Sequence, residues 1–292
     1  MLPEGPHRIT VNDVEHWVRI EGSDAPGRPV VFVHGGPGAN AAILEQTVGP
    51  YLAASHPVVY YDQRGCGRSG PAPGYSTDDL VSDLDGLVEA LGLAPVTLAG
   101  FSFGGQVAAE YAVRHPDRVD RLILVAPLIQ GPLRWDNRLA AMDAVADPVF
   151  RQRLRAAAPS VEFTLGHHAF GELAELWAAM DEPTGARFSL HDPATRRPPG
   201  LPEEEGLARN VAFSQALLAE RRDAPLLDDL ADVDVPTLVI VGLYDRNVGV
   251  DACRDVVDRM PDARLAVMLR SAHAPIEEPE AYAAAMTAFL VS

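Results

Sequence analysis

Six short apolar runs, separated by segments with helical period, constrain the fold of this chain more than any other feature of its sequence. Such runs are typical of strands that are buried on both faces of a sheet. The runs lie at 29–33, 57–61, 96–99, 121–125, 237–241 and 264–269. Helical period lies between them at 77–91, 104–115, 251–260 and 278–290. This alternation predicts a doubly wound α/β fold with a mostly parallel central sheet and flanking helices.

The alternation is interrupted once, after the fourth run. From residue 128 to residue 227 the chain shows helical spacing without a convincing buried strand, which predicts an inserted helical cap. We therefore expect a core domain formed by residues 1–127 and 228–292 and a cap subdomain formed by residues 128–227. Near the start of the chain, alternating residues on either side of Asn12-Asp13 predict a β-hairpin at a sheet edge.

The charge and the cysteine content exclude several classes of function. A formal net charge of −17 disfavours binding to nucleic acid or to an anionic membrane surface. Cys66 and Cys253 belong to no metal-binding or disulfide pattern, so we expect no metal site and a reducing compartment. We find no signal peptide and no membrane-spanning run, and we expect a cytoplasmic protein. The oligomeric state is left open.

A possible nucleophile is marked by the sequence Gly100-Phe-Ser-Phe-Gly104, which lies between a predicted strand and a predicted helix. Small flanking residues permit the tight strand-to-helix turn that exposes a serine hydroxyl beside a helix N-terminus. Because the pattern stands in that context, it predicts a nucleophile elbow with Ser102 as the nucleophile.

A serine nucleophile needs a general base, and the base needs a carboxylate to orient it. Asp245 and His273 each follow a predicted strand, and the carboxyl ends of parallel strands meet at one edge of a sheet. Of the nine histidines, only His34 and His273 lie just past a strand within a motif. We predict Asp245 as the orienting acid and His273 as the base.

The other motif histidine opens the glycine-rich sequence 34–38, His-Gly-Gly-Pro-Gly. Glycines let backbone N–H groups approach a developing oxyanion without obstruction from side chains. We predict that the oxyanion hole is formed by the N–H groups of Gly36 and Phe103, with Gly35 as the next candidate in the loop.

These motifs together resemble those of the proline iminopeptidase family of α/β-hydrolases, which includes the shorter tricorn-interacting aminopeptidases. His34-Gly-Gly-Pro-Gly38 is similar to the family's HGGPG, and Asp62-Gln-Arg-Gly-Cys-Gly-Arg-Ser69 is similar to its DQRGxGxS. The resemblance covers the chain outside the cap. It implies the α/β-hydrolase fold and a triad of Ser102, Asp245 and His273, with no cofactor.

The resemblance also implies that cap glutamates bind a free amine of the substrate. Residues 207–212 loosely resemble the family's amine-binding helix but contain no glutamate, and Ala272 stands where the family usually has glycine. We expect Gly35, Glu205 and Trp177 to contact the substrate, which is a small molecule or a short peptide.

Three functions are consistent with these residues. The first is removal of an N-terminal amino acid, proline or another small residue, from a peptide, or of an aminoacyl group from a small amide. The second is an esterase, lactonase or C–C bond hydrolase of the same fold. The third, from another class, is a protein that binds a ligand or directs a cyclisation without hydrolysis. Dehalogenases and epoxide hydrolases are disfavoured because their nucleophile is a carboxylate.

Overall fold

A twisted sheet forms the centre of the protein in the computed structural model, which describes residues 2–129, 144–157, 182–195, 209–220 and 225–292. Among these residues eight strands pair in the order β1-β2-β4-β3-β5-β6-β7-β8. The strands are β1 (Gly5–Val11), β2 (Val14–Glu21), β3 (Val30–Val33), β4 (Val58–Tyr61), β5 (Val96–Phe101), β6 (Val119–Val125), β7 (Thr237–Gly242) and β8 (Ala263–Met268). All six predicted strands are present, and β3 to β8 run parallel to one another.

The predicted hairpin forms the antiparallel edge of this sheet. Asn12 and Asp13 both have positive φ, at 48° and 61°, and Val11 pairs with Val14 across the turn. A two-residue turn with positive φ at both positions matches the natural twist of paired strands, and asparagine and aspartate tolerate it well. The prediction of an edge hairpin is confirmed.

Each face of the sheet packs against its own group of helices. Alternate residues of β3 point to opposite faces, so Val31 and Val33 join one apolar core while Val30 and Phe32 join the other. The described helices are α1 (Ala42–Glu45), α2 (Val48–Ala53), α3 (Thr77–Ala90), α4 (Phe103–Arg114), α5 (Pro148–Ala157), α6 (Glu182–Ser189), α7 (Val211–Ala219), α8 (Leu226–Asp229), α9 (Val250–Arg259) and α10 (Pro279–Leu290). The four helices predicted for the core correspond to α3, α4, α9 and α10.

The sequence did not predict α1 and α2, which are too short to show a clear helical period. Within residues 128–227 the described portions contain α5, α6, α7 and the start of α8, and no strand. The division into a core domain and a cap subdomain remains a prediction. Among the described residues, no helix combines the length and apolar character that crossing a membrane requires.

Candidate active site

Ser102 lies at a sharp turn between β5 and α4. Its backbone has φ 53° and ψ −117°, a conformation that costs free energy for any residue other than glycine. The turn also needs close packing, because a Cβ atom at Gly104 would collide with the carbonyl oxygens of Val33 and His34. The predicted order of strand, turn and helix is therefore present, and it presents the Ser102 side chain at the carboxyl edge of the sheet.

The loops that follow β7 and β8 bring Asp245 and His273 to the same edge. Nδ1 of His273 lies 3.0 Å from Oδ2 of Asp245, and Nε2 of His273 lies 3.0 Å from Oγ of Ser102. All three residues are buried, with no more than 9% of their surface exposed. Three side chains that are far apart in sequence thus form one continuous chain of hydrogen bonds.

Asp245 is held as an ion by its surroundings. Burial raises the pKa of its carboxyl group, but the contacts with His273 and with the backbone N–H groups of Asn247 and Val248 outweigh that effect and lower the pKa overall. Those two N–H groups donate to Oδ1 at 2.7 Å and 3.0 Å, which leaves Oδ2 for the imidazole. The Nδ1–H of His273 therefore donates to Asp245, and its Nε2 is free to accept the Ser102 proton.

Phe103 provides a candidate oxyanion donor at the first residue of α4. No described residue accepts a hydrogen bond from its backbone N–H, as expected for the first turn of a helix, where the positive end of the helix dipole lies. Its ring packs edge-on against Phe213 of α7 at a centroid distance of 6.1 Å. This contact links the turn at Ser102 to residues beyond position 128.

The glycine-rich loop after β3 lies directly beside Ser102. A Cβ atom at Gly35 would come within 2.7 Å of the Phe101 carbonyl oxygen and 3.0 Å of Ser102 Cβ, so only glycine fits there. Gly36 has φ 141°, which is also a conformation that favours glycine. Which of the two N–H groups faces an oxyanion stays a prediction.

His34, the first residue of this loop, is fixed by backbone groups. Its Nε2 accepts a hydrogen bond of 3.0 Å from the Gln63 N–H, and its Nδ1 lies 2.9 Å from the Gly35 carbonyl oxygen. A backbone N–H cannot give up its proton, so Nε2 carries none and Nδ1 is the donor. Burial also lowers the pKa of His34, which favours the neutral ring.

The loop that contains Asp62 and Arg68 binds the glycine-rich loop and the residues that follow it. Asp62 accepts hydrogen bonds from the Ala41 N–H at 2.8 Å and from the Arg68 Nε at 2.7 Å. The Arg68 guanidinium also pairs with Glu45 and lies 3.2 Å from the centre of the Trp17 ring. These contacts fix the position of the chain that follows Gly38, and they assign this motif a structural role.

Asn210, the N-terminal cap of α7, and Ser214 within that helix hold the glycine-rich loop. The Asn210 N–H donates to the Gly38 carbonyl oxygen at 2.8 Å, and Ser214 Oγ donates to the Pro37 carbonyl oxygen at 2.7 Å. Phe213 packs on Phe103, as described above. The sequence drew attention to residues 207–212 only through their loose resemblance to an amine-binding helix, and neither that resemblance nor an asparagine cap indicates where the helix docks.

The two cap residues predicted to bind substrate, Glu205 and Trp177, lie outside the described residues. In the segment 207–212 the described residue Asn210 caps α7, because its Oδ1 accepts from the Phe213 N–H at 2.9 Å. Its Nδ2 donates to the Gly65 carbonyl oxygen at 2.7 Å and lies 3.0 Å from the Tyr75 hydroxyl. Within the described part of the chain, no group of three or more histidine, cysteine or acidic residues is arranged to hold a metal ion.

Comparisons with known proteins agree with this architecture. A family model for the α/β-hydrolase fold matches residues 28–280. The proline iminopeptidase of Neisseria gonorrhoeae is 26% identical to this chain, over 93% of this chain and 91% of its own length. The crystal structure of a proline iminopeptidase from Mycobacterium smegmatis is similar with a TM-score of 0.67 and 23% identity, covering 98% of both chains.

Proteins with other activities are similar to a comparable degree. The enol-lactonase from Burkholderia xenovorans LB400 has a TM-score of 0.64 and 24% identity, covering 98% of this chain and 100% of its own. Identities this low between solved structures show a common fold and leave the reaction open.

Proposed function

This chain belongs to the α/β-hydrolase fold family, and from that premise we propose that it is a serine hydrolase in which Ser102 is the nucleophile, His273 the general base and Asp245 the orienting acid. The proposal rests above all on one observation. The imidazole of His273 lies between the two other side chains, 3.0 Å from an oxygen of each. Distances of this size permit direct proton transfer between Ser102 and His273.

The proposed reaction is acyl transfer in two steps. In the first step His273 takes the Ser102 proton as Oγ attacks the substrate carbonyl, and the protonated imidazole then gives that proton to the leaving group. In the second step His273 takes a proton from water, which attacks the acyl-enzyme, and then returns that proton to Ser102 Oγ as the bond to the acyl group breaks and the acid product leaves. Asp245, which is ionised at neutral pH, stabilises the imidazolium in both steps. The chemistry uses no cofactor or metal.

Two backbone N–H groups are proposed to stabilise the oxyanion that forms in each step. One is that of Phe103, which is oriented by α4 and has no acceptor among the described residues. The other is that of Gly36, with Gly35 as the alternative because its backbone passes so close to Ser102 that a Cβ atom there would lie 3.0 Å from Ser102 Cβ. Donors of this kind are worth about 3 kcal/mol each in the transition state.

The substrate class we propose is a peptide or small amide with a free amine, from which the enzyme removes an N-terminal proline, another small residue or an aminoacyl group. Support comes from the two motifs shared with proline iminopeptidases and from 26% identity over 93% of this chain with one such enzyme. Glu205 and Trp177 are proposed to contact the substrate from the cap. The two free, buried cysteines, Cys66 and Cys253, are consistent with the proposed cytoplasmic location.

One observation favours a second candidate, an esterase or lactonase of the same fold. Asn210, in the segment that resembles the family's amine-binding helix, uses its amide to cap α7 and to hold Gly65 and Tyr75. It is not a carboxylate, and its amide oxygen already accepts the Phe213 N–H. Recognition of an amine would therefore depend on other cap residues.

A substrate panel on the purified protein separates these candidates. We expect kcat/KM for an aminoacyl arylamide with a free amine to exceed that for its N-acetylated analogue by about 100-fold or more, because a blocked amine cannot pair with the carboxylate of the proposed cap glutamate. The Ser102→Ala variant serves as the background, and we expect it to lose about 10⁶-fold in kcat.

Two results would contradict these expectations in different ways. Equal rates for the free and blocked amines would overturn the aminopeptidase and favour the esterase or lactonase. Turnover by Ser102→Ala at the wild-type rate, or failure of the folded wild-type protein to react with a fluorophosphonate, would overturn the serine hydrolase itself and favour the non-hydrolytic binding protein.

A further inference from the structure

Glu277 joins the loop that carries His273 to a turn of the chain at 189–192, more than eighty residues earlier. One of its carboxylate oxygens accepts hydrogen bonds from the Ala272 N–H at 2.8 Å and the His191 N–H at 3.0 Å. The other accepts from the Asp192 N–H at 2.8 Å. A single side chain therefore satisfies three backbone donors on two separate segments.

The bond to Ala272 matters most for the geometry of the site. Ala272 directly precedes His273 and is fully buried, so its N–H needs an acceptor inside the protein. Glu277 is that acceptor among the described residues. The next N–H along the chain, that of His273, donates to the Ser189 carbonyl oxygen at 3.3 Å. The backbone N–H of His273 is thus bonded to the turn at 189–192. The backbone N–H of Ala272 is bonded to Glu277, which itself binds that turn.

The same turn also contacts the loop of the orienting acid. Arg246, next to Asp245, donates through Nη1 to the carbonyl oxygens of Arg187 at 3.1 Å and Leu190 at 3.3 Å. The ring of His191 stacks on that of Tyr244 with centroids 3.8 Å apart and an angle of 14° between the planes. The segment 187–192 therefore connects the acid loop to the base loop.

We propose that Glu277 is a positioning residue for the hydrolysis reaction. It fastens the backbone of the base loop to the turn at 189–192 and so keeps the His273 ring in line between Asp245 and Ser102. The inference rests on the proposed function, because alignment of the ring matters only if His273 moves a proton. Glu278, its neighbour, has different partners and accepts hydrogen bonds from the Arg270 N–H and the Ser271 hydroxyl.

The test replaces the carboxylate with an amide of the same shape. In Glu277→Gln one oxygen becomes an NH₂ group that cannot accept a hydrogen bond, so at least one backbone donor loses its partner. We expect kcat for p-nitrophenyl acetate and the rate of labelling by a fluorophosphonate to fall about 10-fold, with KM within twofold of wild type. A displaced base affects the chemical step and leaves substrate binding intact. Glu277→Ala removes all three bonds, and we expect a fall of about 100-fold.

Glu280→Gln is the matched control, since Glu280 is exposed and lies three residues further along the same segment. We expect it to behave as wild type. Circular dichroism identifies a temperature at which each variant is fully folded, and the rates are compared there. The low-field NMR signal of the His273 Nδ1 proton gives a second readout, which should broaden or move in Glu277→Gln but not in Glu280→Gln. If Glu277→Ala does not fold, Glu277→Gln alone carries the test.

If folded Glu277→Gln has the kcat, the labelling rate and the Nδ1 proton signal of the wild-type protein, the positioning role is overturned. The proposal of a serine hydrolase would stand in that case. A rise in KM with kcat unchanged would overturn the positioning role as well, because Glu277 would then act on binding. Failure of the wild-type protein to react with the fluorophosphonate would instead show that the proposed function itself is wrong.

Discussion

The loops after β3 and β8 each place a buried histidine at the same edge of the sheet, but the two imidazoles have different partners. Both ring nitrogens of His34 are bound by backbone groups, the Gln63 N–H and the Gly35 carbonyl oxygen. Both ring nitrogens of His273 are bound by side chains, those of Asp245 and Ser102. Of these four partners only the Ser102 hydroxyl can give up a proton to an imidazole at neutral pH.

The comparison teaches that burial and position at the carboxyl edge do not make a histidine a base. His34 fixes the path of the glycine-rich loop, because its ring is bonded to the backbone of that loop and to the loop that contains Gln63. In the neutral His34 ring Nε2 is the only nitrogen that can accept a hydrogen bond, and it already accepts one from the Gln63 N–H. His273 keeps its acceptor nitrogen on the Ser102 hydroxyl, and the Asp245 carboxylate on its other side would stabilise the charge that the proposed proton transfer creates.

The largest effect is expected when the base itself is removed. We predict that His273→Ala lowers kcat about 10⁶-fold, as Ser102→Ala does, because the nucleophile and base act as one unit. We predict that His34→Gln keeps kcat/KM within about 10-fold, since the glutamine amide oxygen can accept the Gln63 N–H in place of Nε2. Steady-state kinetics of the two variants on the best substrate of the panel provide the measurement.

Circular dichroism and urea unfolding serve as controls for both variants. A folded His34→Gln protein with a loss comparable to that of His273→Ala would break the comparison, because His34 would then take part in the chemistry.

A smaller but still large effect on kcat is expected from changing Asp245, whose carboxylate binds Nδ1 of His273. In Asp245→Asn the side chain can still accept the hydrogen bonds of Asn247 and Val248, so the loop keeps its shape. The amide presents an NH₂ group to Nδ1, which favours the wrong tautomer and removes the charge that stabilises the imidazolium. We predict a loss of about 10⁴-fold in kcat. Single-turnover kinetics would measure it, and a loss below tenfold would show that the carboxylate has only a structural part.

The sequence was sufficient to predict the strands that place Ser102, Asp245 and His273. The runs around 96–99, 237–241 and 264–269 are apolar and short, and parallel strands bring their carboxyl ends together. The approximate meeting of Ser102, Asp245 and His273 follows from that topology. The preference for His273 over His34 also followed from the sequence, since the order of serine, acid and histidine matched a known arrangement.

The sequence could not predict contacts between segments that lie far apart along the chain, because no periodic pattern relates one such segment to the other. Glu277 binding the His191 N–H and Ser214 binding the Pro37 carbonyl oxygen depend on how residues beyond 128 dock on the core. A glutamate on a helical or loop segment is usually solvated, so composition gives no reason to single one out. The short helices α1 and α2 were missed for a related reason, because one or two turns do not establish a period.

The smallest effect concerns the pH dependence of folding, where the comparison predicts that His34 leaves a signature. Burial lowers the pKa of His34 below the ordinary value of 6.5. Below about pH 6.5 the unfolded chain therefore binds a proton at this histidine that the folded protein does not bind, so the free energy of unfolding falls as the pH falls. The slope that one such group contributes cannot exceed about 1.4 kcal/mol per pH unit, and it ends when the pH reaches the pKa of His34 in the folded protein.

Urea unfolding at about pH 7, 6 and 5 should show a shallower decline of the free energy of unfolding in His34→Gln than in wild type. Other histidines, including His56, whose pKa burial also lowers, contribute to both proteins and cancel in the difference. Parallel declines in the two proteins would mean that His34 binds a proton equally well in the folded and unfolded states, and its assignment as a neutral structural ring would fail.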